Sequence, residues 1–384
     1  MPDPRLLAGN HAATRHARTQ KGLSEAGAFR LSCPGIESAL SGKMNLKQLA
    51  EHLQLSPTTV SRALNGYPEV KEATRLRVEA AARAVGYSPN AWAKGLATGR
   101  AMAIGHVMPV SKSHEMVNPV FGDFITGASE AYLRAGYDMQ LTLVDDEDEA
   151  MRYRNLRRRG LVDGIIVHAP LPADERIALL REIGLPFVVH GRASELPDDY
   201  AWIDMNNRRA FERATEHLLA LGHRRIALVN GPERQDFALR RREGVLTALA
   251  AQGIEADPAL LSSGEMTERL GYTATREMRA LPDPPTAIVA ASMVVALGIW
   301  RALRDEGVTL GREVSVVAHD DDLGYLRNGG DVPVFTATRA SVRDAGRRAA
   351  EMVLEMIRDP SCAPLQTLIE AELILGQSTG RAPS

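Results

Sequence analysis

Residues Ser56 to Asn65 read SPTTVSRALN, a run of short hydroxyls and one guanidinium set around apolar anchors. NLKQLAEHLQL stands directly before it, and Asn45 and Ser56 each open an apolar-periodic stretch. A side-chain oxygen at such a position accepts from a backbone N–H that the first helical turn leaves unpaired, and Pro57 at the first helical position loses nothing by lacking its own N–H. The spacing predicts two short helices joined by a tight turn. Leu49, Leu53, Leu55, Val60 and Leu64 recur so that they meet in one small core. That leaves Pro57, Thr58, Thr59, Ser61, Arg62 and Asn65 on the outward face of the second helix. Hydroxyls near a helix N-terminus suit phosphates and base edges, and an arginine can give guanine two hydrogen bonds in a major groove. Such a face is fitted to double-stranded DNA. Taken alone, the pair also reads as ordinary packing helices.

The residues that follow favour the first reading. Glu69 to Val85 predicts a third helix with Val70, Ala73, Leu76, Val78 and Ala81 available for the core, and Gly86 is placed to end it in the left-handed conformation. Three helices complete a headpiece over residues 44–89. Residues 90–100 then form a hinge or linker whose Ala91 to Ala97 stretch is expected to be helical.

Several strings in fixed order now resemble the lactose/galactose-repressor (LacI/GalR) family of bacterial regulators. They are TVSRALNG, the Val70 to Asn90 run, AKGLATG at the hinge, and then NPVFGDFITGASE, GLPFVVHGR, LGHRRIALVNGP, RRREGV, PPTAIVAAS and EVSVVAHDD. The resemblance runs from Met44 to the C-terminus. Within the family, the opening MNLKQLAEHLQLSPTTVSRALNGYPEV together with HGR and AHDD is most similar to regulators of α-glucoside operons. The resemblance implies a transcriptional repressor controlled by a sugar effector. It also implies a homodimer able to assemble into a tetramer, a palindromic DNA operator as partner, and no cofactor.

The body, residues 101–384, reads as two α/β halves. Apolar runs at Ala103–Val107, Met139–Val144, Gly164–Val167 and Phe187–His190 alternate with helical stretches at Gly122–Ala135 and Asp174–Ile183. A second set, Arg225–Val229, Leu260–Ser263, Ala287–Ala290 and Val314–Ala318, is interleaved with Arg240–Gln252, Leu270–Leu281 and Val294–Glu306. Strands joined by crossover helices predict doubly wound parallel sheets. Two such lobes form a periplasmic-binding-protein-like domain, with ligands expected beyond the carboxyl ends of the strands in the cleft between them.

The resemblance places residues in that cleft. Arg241, three before a glycine on the first helix of the second lobe, matches the family's effector-anchoring arginine, and Asp320 in VVAHDD matches its effector-binding aspartate. A guanidinium donates and a carboxylate accepts in fixed directions, which suits sugar hydroxyls. His190, Arg192, Asp204 after the strand AWID, Asp236, Phe237, Met266 and Ser292 match positions where relatives contact effectors. The chain departs from many relatives in having Ser292-Met293 and Met266, which argues against a simple transfer of galactoside or purine specificity. At the hinge, the resemblance implies that Leu96 wedges into the minor groove with Lys94 beside it for backbone contact. Gly95 between them weakens that helix by about 1 kcal/mol relative to Ala.

Composition excludes other classes. A 384-residue chain with 45% hydrophobic and 24% charged residues can form about two or three domains. Two cysteines make no disulfide framework, and no spacing suggests a metal. Nothing resembles a membrane span or signal-peptide core, so a cytoplasmic protein is expected rather than an exported sugar-binding protein for transport. No GxSxG, P-loop or HExxH motif supports an enzyme. The remaining alternative is a regulator of the same family with a non-sugar effector. Net charge is +3 over residues 1–43, +4 over residues 44–100 and −9 over the rest, which leaves the basic end to approach DNA.

Residues 1–43 show no periodicity and are expected to be a disordered or mis-annotated extension, with a phosphate-tracking basic arm as the alternative. Protein beginning at Met44 is therefore expected to fold, dimerise and bind DNA as the full chain does. Loss of DNA binding on that truncation, with peptides from residues 1–43 recovered from cells, would overturn this.

Overall fold

The computed structural model describes residues 44–64, 66–87, 99–109, 119–319, 322–362 and 364–383. Residues 1–43, Asn65, the hinge residues Lys94 and Leu96 with the Ala91 to Ala97 stretch, and Asp320 lie outside that set. The chain divides into two compact units, Met1–Pro89 and Asn90–Ser384.

The headpiece holds helices α1 (Leu46–Leu53), α2 (Pro57–Leu64) and α3 (Glu72–Ala84). Asn45 Oδ1 accepts the Gln48 amide at 3.0 Å while Asn45 N–H donates back to Gln48 Oε1 at 2.9 Å, a reciprocal capping box. Ser56 Oγ accepts the Thr59 amide at 3.1 Å. Gln54, at φ 53°, makes the tight turn between the two helices. Leu49, Leu53, Val60, Ala63, Val70, Val78 and Ala82 close the core. Two details of α3 differ from expectation. It begins at Glu72 and not Glu69, because Val70 reaches the core from a turn in which its amide donates to Tyr67 O. Ala73 and Leu76 are exposed, Leu76 by 54%. Val78 and Ala82 fix the buried face, and two residues on a helix turn about 200°, which puts Leu76 on the other side.

The second unit contains two six-stranded sheets. In the first lobe β1 (Ala103–Pro109), β2 (Asp138–Val144), β3 (Gly164–His168), β4 (Phe187–His190) and β5 (Trp202–Met205) lie in the order β11-β5-β4-β3-β1-β2, with β11 (Gln366–Ile369) parallel to β5. In the second, β6 (Ile226–Asn230), β7 (Leu261–Ser263), β8 (Ala287–Ala290), β9 (Ser315–His319) and β10 (Thr336–Arg339) follow β12-β10-β9-β8-β6-β7, and β12 (Glu372–Ile374) is antiparallel to β10. Both faces of each sheet are buried along its central strands. Ile166 and Val188 point into one core and Ile165, Val167, Phe187 and Val189 into another, as the two-residue period of a strand requires. Val229, Ile288 and Val316 likewise oppose Leu228, Val289 and Val317.

The chain passes between lobes three times, after β5, after β10 and between β11 and β12. As a result the helix Val342–Arg358 packs on the first lobe although it follows a strand of the second. The helix Asn207–Ala220 packs on the second lobe ahead of its first strand. Asp236–Ala250, which carries Arg241, is therefore the second helix of that lobe and not the first. Asp204 lies inside β5 rather than after it.

Helix pairs approach closely at glycines. A Cβ on Gly244 would sit 2.1 Å from Arg208 O, and one on Gly127 within 1.9 Å of Arg343 O. Gly244→Ala is expected to destabilise the protein by about 1–3 kcal/mol through overpacking. Gly122→Ala, where nothing lies within 4 Å, is expected to stabilise it slightly, since alanine is the better helix former. Urea unfolding of the two variants checks the contrast.

Candidate functional site

Two surfaces carry residues whose chemistry is not needed for packing. The first is the outer face of α2. Pro57, Thr58 and Arg62 are exposed there, whereas Thr59 and Ser61 are half-buried. Thr59 also shares its hydroxyl with Ser56 Oγ at 2.8 Å, which spends it on the helix start.

The second surface is the cleft where carboxyl ends of strands from both lobes meet. It encloses a cavity of about 150 Å³ lined by Phe121, His168, His190, Asp204, Asn207, Gln235, Phe237, Arg241, Met266 and Ser292, with Val120, Val342 and Ile369 among its apolar wall residues. His190, Asp204, Phe237, Arg241, Met266 and Ser292 were expected there from sequence. Arg192 and Asp236 stand beside the cavity without lining it. Phe121, His168, Asn207 and Gln235 were not singled out as cleft residues. Phe121 lies inside the string NPVFGDFITGASE, and Asn207 stands two residues past the end of β5, which were the available signals.

Arg241 is buried. Its Nε donates to Asn207 Oδ1 at 2.7 Å and its Nη1 to Ala291 O at 2.9 Å, while the guanidinium stacks between Phe211 and Phe237, 5.0 and 4.7 Å from the ring centroids. Asn207 in turn donates to Met205 O at 3.0 Å. Ser292 caps the helix Met293–Asp305 by accepting the Val295 amide, so its hydroxyl serves local structure as well as the cavity wall.

The wall opposite is built on histidines. His168 and His190 are register partners on β3 and β4, and His190 stacks on Phe124 at 4.1 Å. Behind them His106 Nδ1 meets His168 Nε2 at 2.9 Å, and its Nε2 meets the Tyr132 hydroxyl at 3.1 Å. Burial lowers the His106 pKa to about 3, with the nearby His190 adding to the effect, and burial alone lowers His190 to about 4. Both rings are neutral at physiological pH. In the second lobe His319, bonded to Thr338 Oγ1, is held well below its usual range by burial and by Arg241.

Residues 101–375 match the model described as periplasmic binding proteins and sugar binding domain of LacI family, and residues 45–90 match that of bacterial regulatory proteins, lacI family. The chain belongs to the LacI family. It is 44% identical over 340 residues to the HTH-type transcriptional regulator AglR of Rhizobium meliloti (strain 1021), covering 88% of this chain and 95% of that one. Similarity to RafR of Escherichia coli, another HTH-type transcriptional regulator, is 38% over 332 residues, covering 84% and 95%. Among solved structures, a transcriptional regulator CelR–cellobiose complex matches with a TM-score of 0.65 and 28% identity over 87% of this chain and 99% of that one. Like these relatives, the LacI-family chain is a DNA-binding transcriptional regulator with a helix-turn-helix headpiece and a two-lobed sensing domain. Among the described residues, no helix is long and apolar enough to cross a membrane.

The histidine wall gives a pH prediction. Between about pH 6.5 and 4 an unfolded chain takes up protons at His106 and His190 that the folded lobe refuses. The folded state therefore loses stability as pH falls through that window, and these two groups leave it unchanged above it. Melting temperature is expected to drop on acidification below pH 6.5, and less steeply in His190→Gln. An equal slope in both proteins would exclude His190 as a source.

Proposed function

We propose that this regulator is a homodimeric, cytoplasmic repressor of a carbohydrate operon, and that an α-glucoside bound between its lobes controls its hold on a two-fold symmetric operator. Pro57, Thr58, Thr59, Ser61, Arg62 and Asn65 are the operator-reading face, with Lys94 on the backbone and Leu96 as minor-groove wedge. Arg241, Asp320, His190, Arg192, Asp204, Asp236, Phe237, Met266 and Ser292 form or support the effector site. The chain acts by binding and not by catalysis.

The observation that carries the effector reading is Arg241, buried between two phenylalanine rings at the edge of the cavity with Asn207 and Gln235 beside it. A sugar offers apolar C–H faces to aromatic rings and hydroxyls to such polar groups. The solved CelR relative holds cellobiose, a disaccharide, which supports a sugar of that class. Preference for the α-linkage rests on the headpiece, HGR and AHDD motifs. A second copy as partner is supported by apolar surface on the first lobe. Leu141 and Leu143 on edge strand β2 are exposed, and so is Leu133 on the helix Pro119–Ala135 packed against it.

A thermal-shift panel of maltose, trehalose, sucrose, galactosides, pentoses and purines tests the effector class. Stabilisation by an α-glucoside is expected, and a response to purines alone rejects the sugar reading. Arg241→Ala leaves Asn207 and Ala291 O without their donor and is expected to cost about 1–3 kcal/mol of effector affinity with DNA binding intact. Undiminished binding in calorimetry would move the pocket elsewhere. Arg62→Ala is expected to cost about 1–3 kcal/mol and relax operator choice, whereas Lys94→Ala weakens all sequences alike. Equal operator binding by Arg62→Ala and wild type would refute the reading face.

A further inference from the structure

Beside the effector cavity lies a second polar assembly, of which Asp204 lines the cavity while Arg192, Asp236 and Arg240 do not. Asp204, on β5 of the first lobe, receives Arg192 Nε at 3.1 Å from its own lobe and Arg240 Nη1 at 2.6 Å from the second. Arg240 Nε lies 2.6 Å from Asp236 Oδ2 on the same helix. Asp236 then reaches back to the first lobe twice. Its Oδ1 accepts the Ser194 amide at 3.0 Å, and its own amide donates to Pro170 O at 3.1 Å. Two arginines and two aspartates thus alternate across the boundary between lobes, all but Arg192 buried.

We propose that Arg240 and Asp236 form an interlobe latch, a positioning pair that holds the two lobes together and connects that contact to the effector cavity through Asp204. Arg240 and Arg241 are consecutive on one helix, and about 100° of rotation sends them to different partners. Arg241 faces the cavity, while Arg240 is only 8% exposed and is absent from its lining. The two arginines meet again through Asn207, which accepts from Arg241 Nε and places its Nδ2 3.4 Å from Asp204 Oδ1. A ligand that pulls on Arg241 or Asn207 therefore pulls on the carboxylate that Arg240 holds.

The energetics suit a joint that opens. A buried ion pair gains little net stability, because desolvation of both charges offsets their attraction, yet removing one partner leaves the other charge uncompensated. Burial works against the charge on Arg240, but Asp204 and Asp236 outweigh it and hold its pKa above the ordinary arginine value. Among the described residues, Arg240 Nη2 finds no acceptor. A partly satisfied network gives back some of its cost when water enters, so the closed joint is not a deep trap.

The regulatory role of the latch rests on the reading that a small molecule occupies the cleft, but the latch itself can be tested without one. Hydrogen–deuterium exchange on the ligand-free, full-length protein reads the Ser194 and Asp236 amides, both of which bond across the boundary. In Arg240→Met these amides are expected to exchange at least about tenfold faster, while strand amides such as those of Ile166 and Leu228 keep their wild-type rates. Arg240→Lys, which retains the charge, is expected to restore part of the protection. Asp236→Asn keeps the shape and is expected to show the same local loss, so it decides the matter if Arg240→Met does not fold. Wild-type exchange at Ser194 and Asp236 in a folded variant would overturn the latch. Uniformly faster exchange across both sheets would also overturn it, by marking a merely structural role. Adding maltose as probe separates the two readings: an unchanged melting temperature on maltose counts against the α-glucoside and leaves the exchange result standing.

Discussion

Two adjacent guanidinium groups are buried at the junction of the lobes, and neither can be taken from water without nearby compensation. That requirement organises the centre of the molecule. Asp204 must sit on the last strand of the first lobe before the chain crosses over, Asp236 must begin the helix that carries both arginines, and Asn207 must stand where the crossing ends. The aromatic pair Phe211 and Phe237 encloses the second guanidinium from two helices of its own lobe. The cavity wall and the joint between lobes are consequently made from neighbouring residues of one helix.

Much of the fold was legible because parallel strands buried on both faces read as unbroken apolar runs. GIIVH, FVVH, IALVN, AIVA and SVVAH are such runs, and they are the central strands. The late strands were not legible in the same way. QTLI and ELI are short, half-exposed edge strands, and TATR is buried but fills its place with threonines, so no periodic signal separates them from loop. The helix Val342–Arg358 has a strong apolar stripe, but nothing local says that the stripe packs on the sheet built by residues more than a hundred positions earlier.

The site divides along the same line. Arg241, Phe237 and Met266, expected at the cleft from the family resemblance, line the cavity. Arg192 and Asp236 match effector-contact positions by motif, yet their charges are directed at Asp204 and Arg240. Sequence can mark a position as close to a ligand. It does not say whether the side chain there turns to the ligand or to the opposite lobe, because that depends on which neighbouring charge needs a partner. Arg240 and His168 were legible as residues but not as cleft participants, since their partners come from 36 and 62 residues away.

The three crossings between lobes also bear on how the chain folds during synthesis. The first lobe contributes its strands early but lacks the helix Val342–Arg358 and strand β11 until almost the whole chain exists. Its sheet therefore emerges with one apolar face only partly covered. The second lobe has strands β6 to β10 and four helices in one continuous stretch, and the short antiparallel β12 with the C-terminal segment that bonds to β9 and β10 arrives later. Domains generally form as units while the chain grows, and long-range parallel pairing is slow. The lobe synthesised second is thus in a position to fold first, and the lobe synthesised first waits with exposed apolar surface until its last segment is threaded back to it.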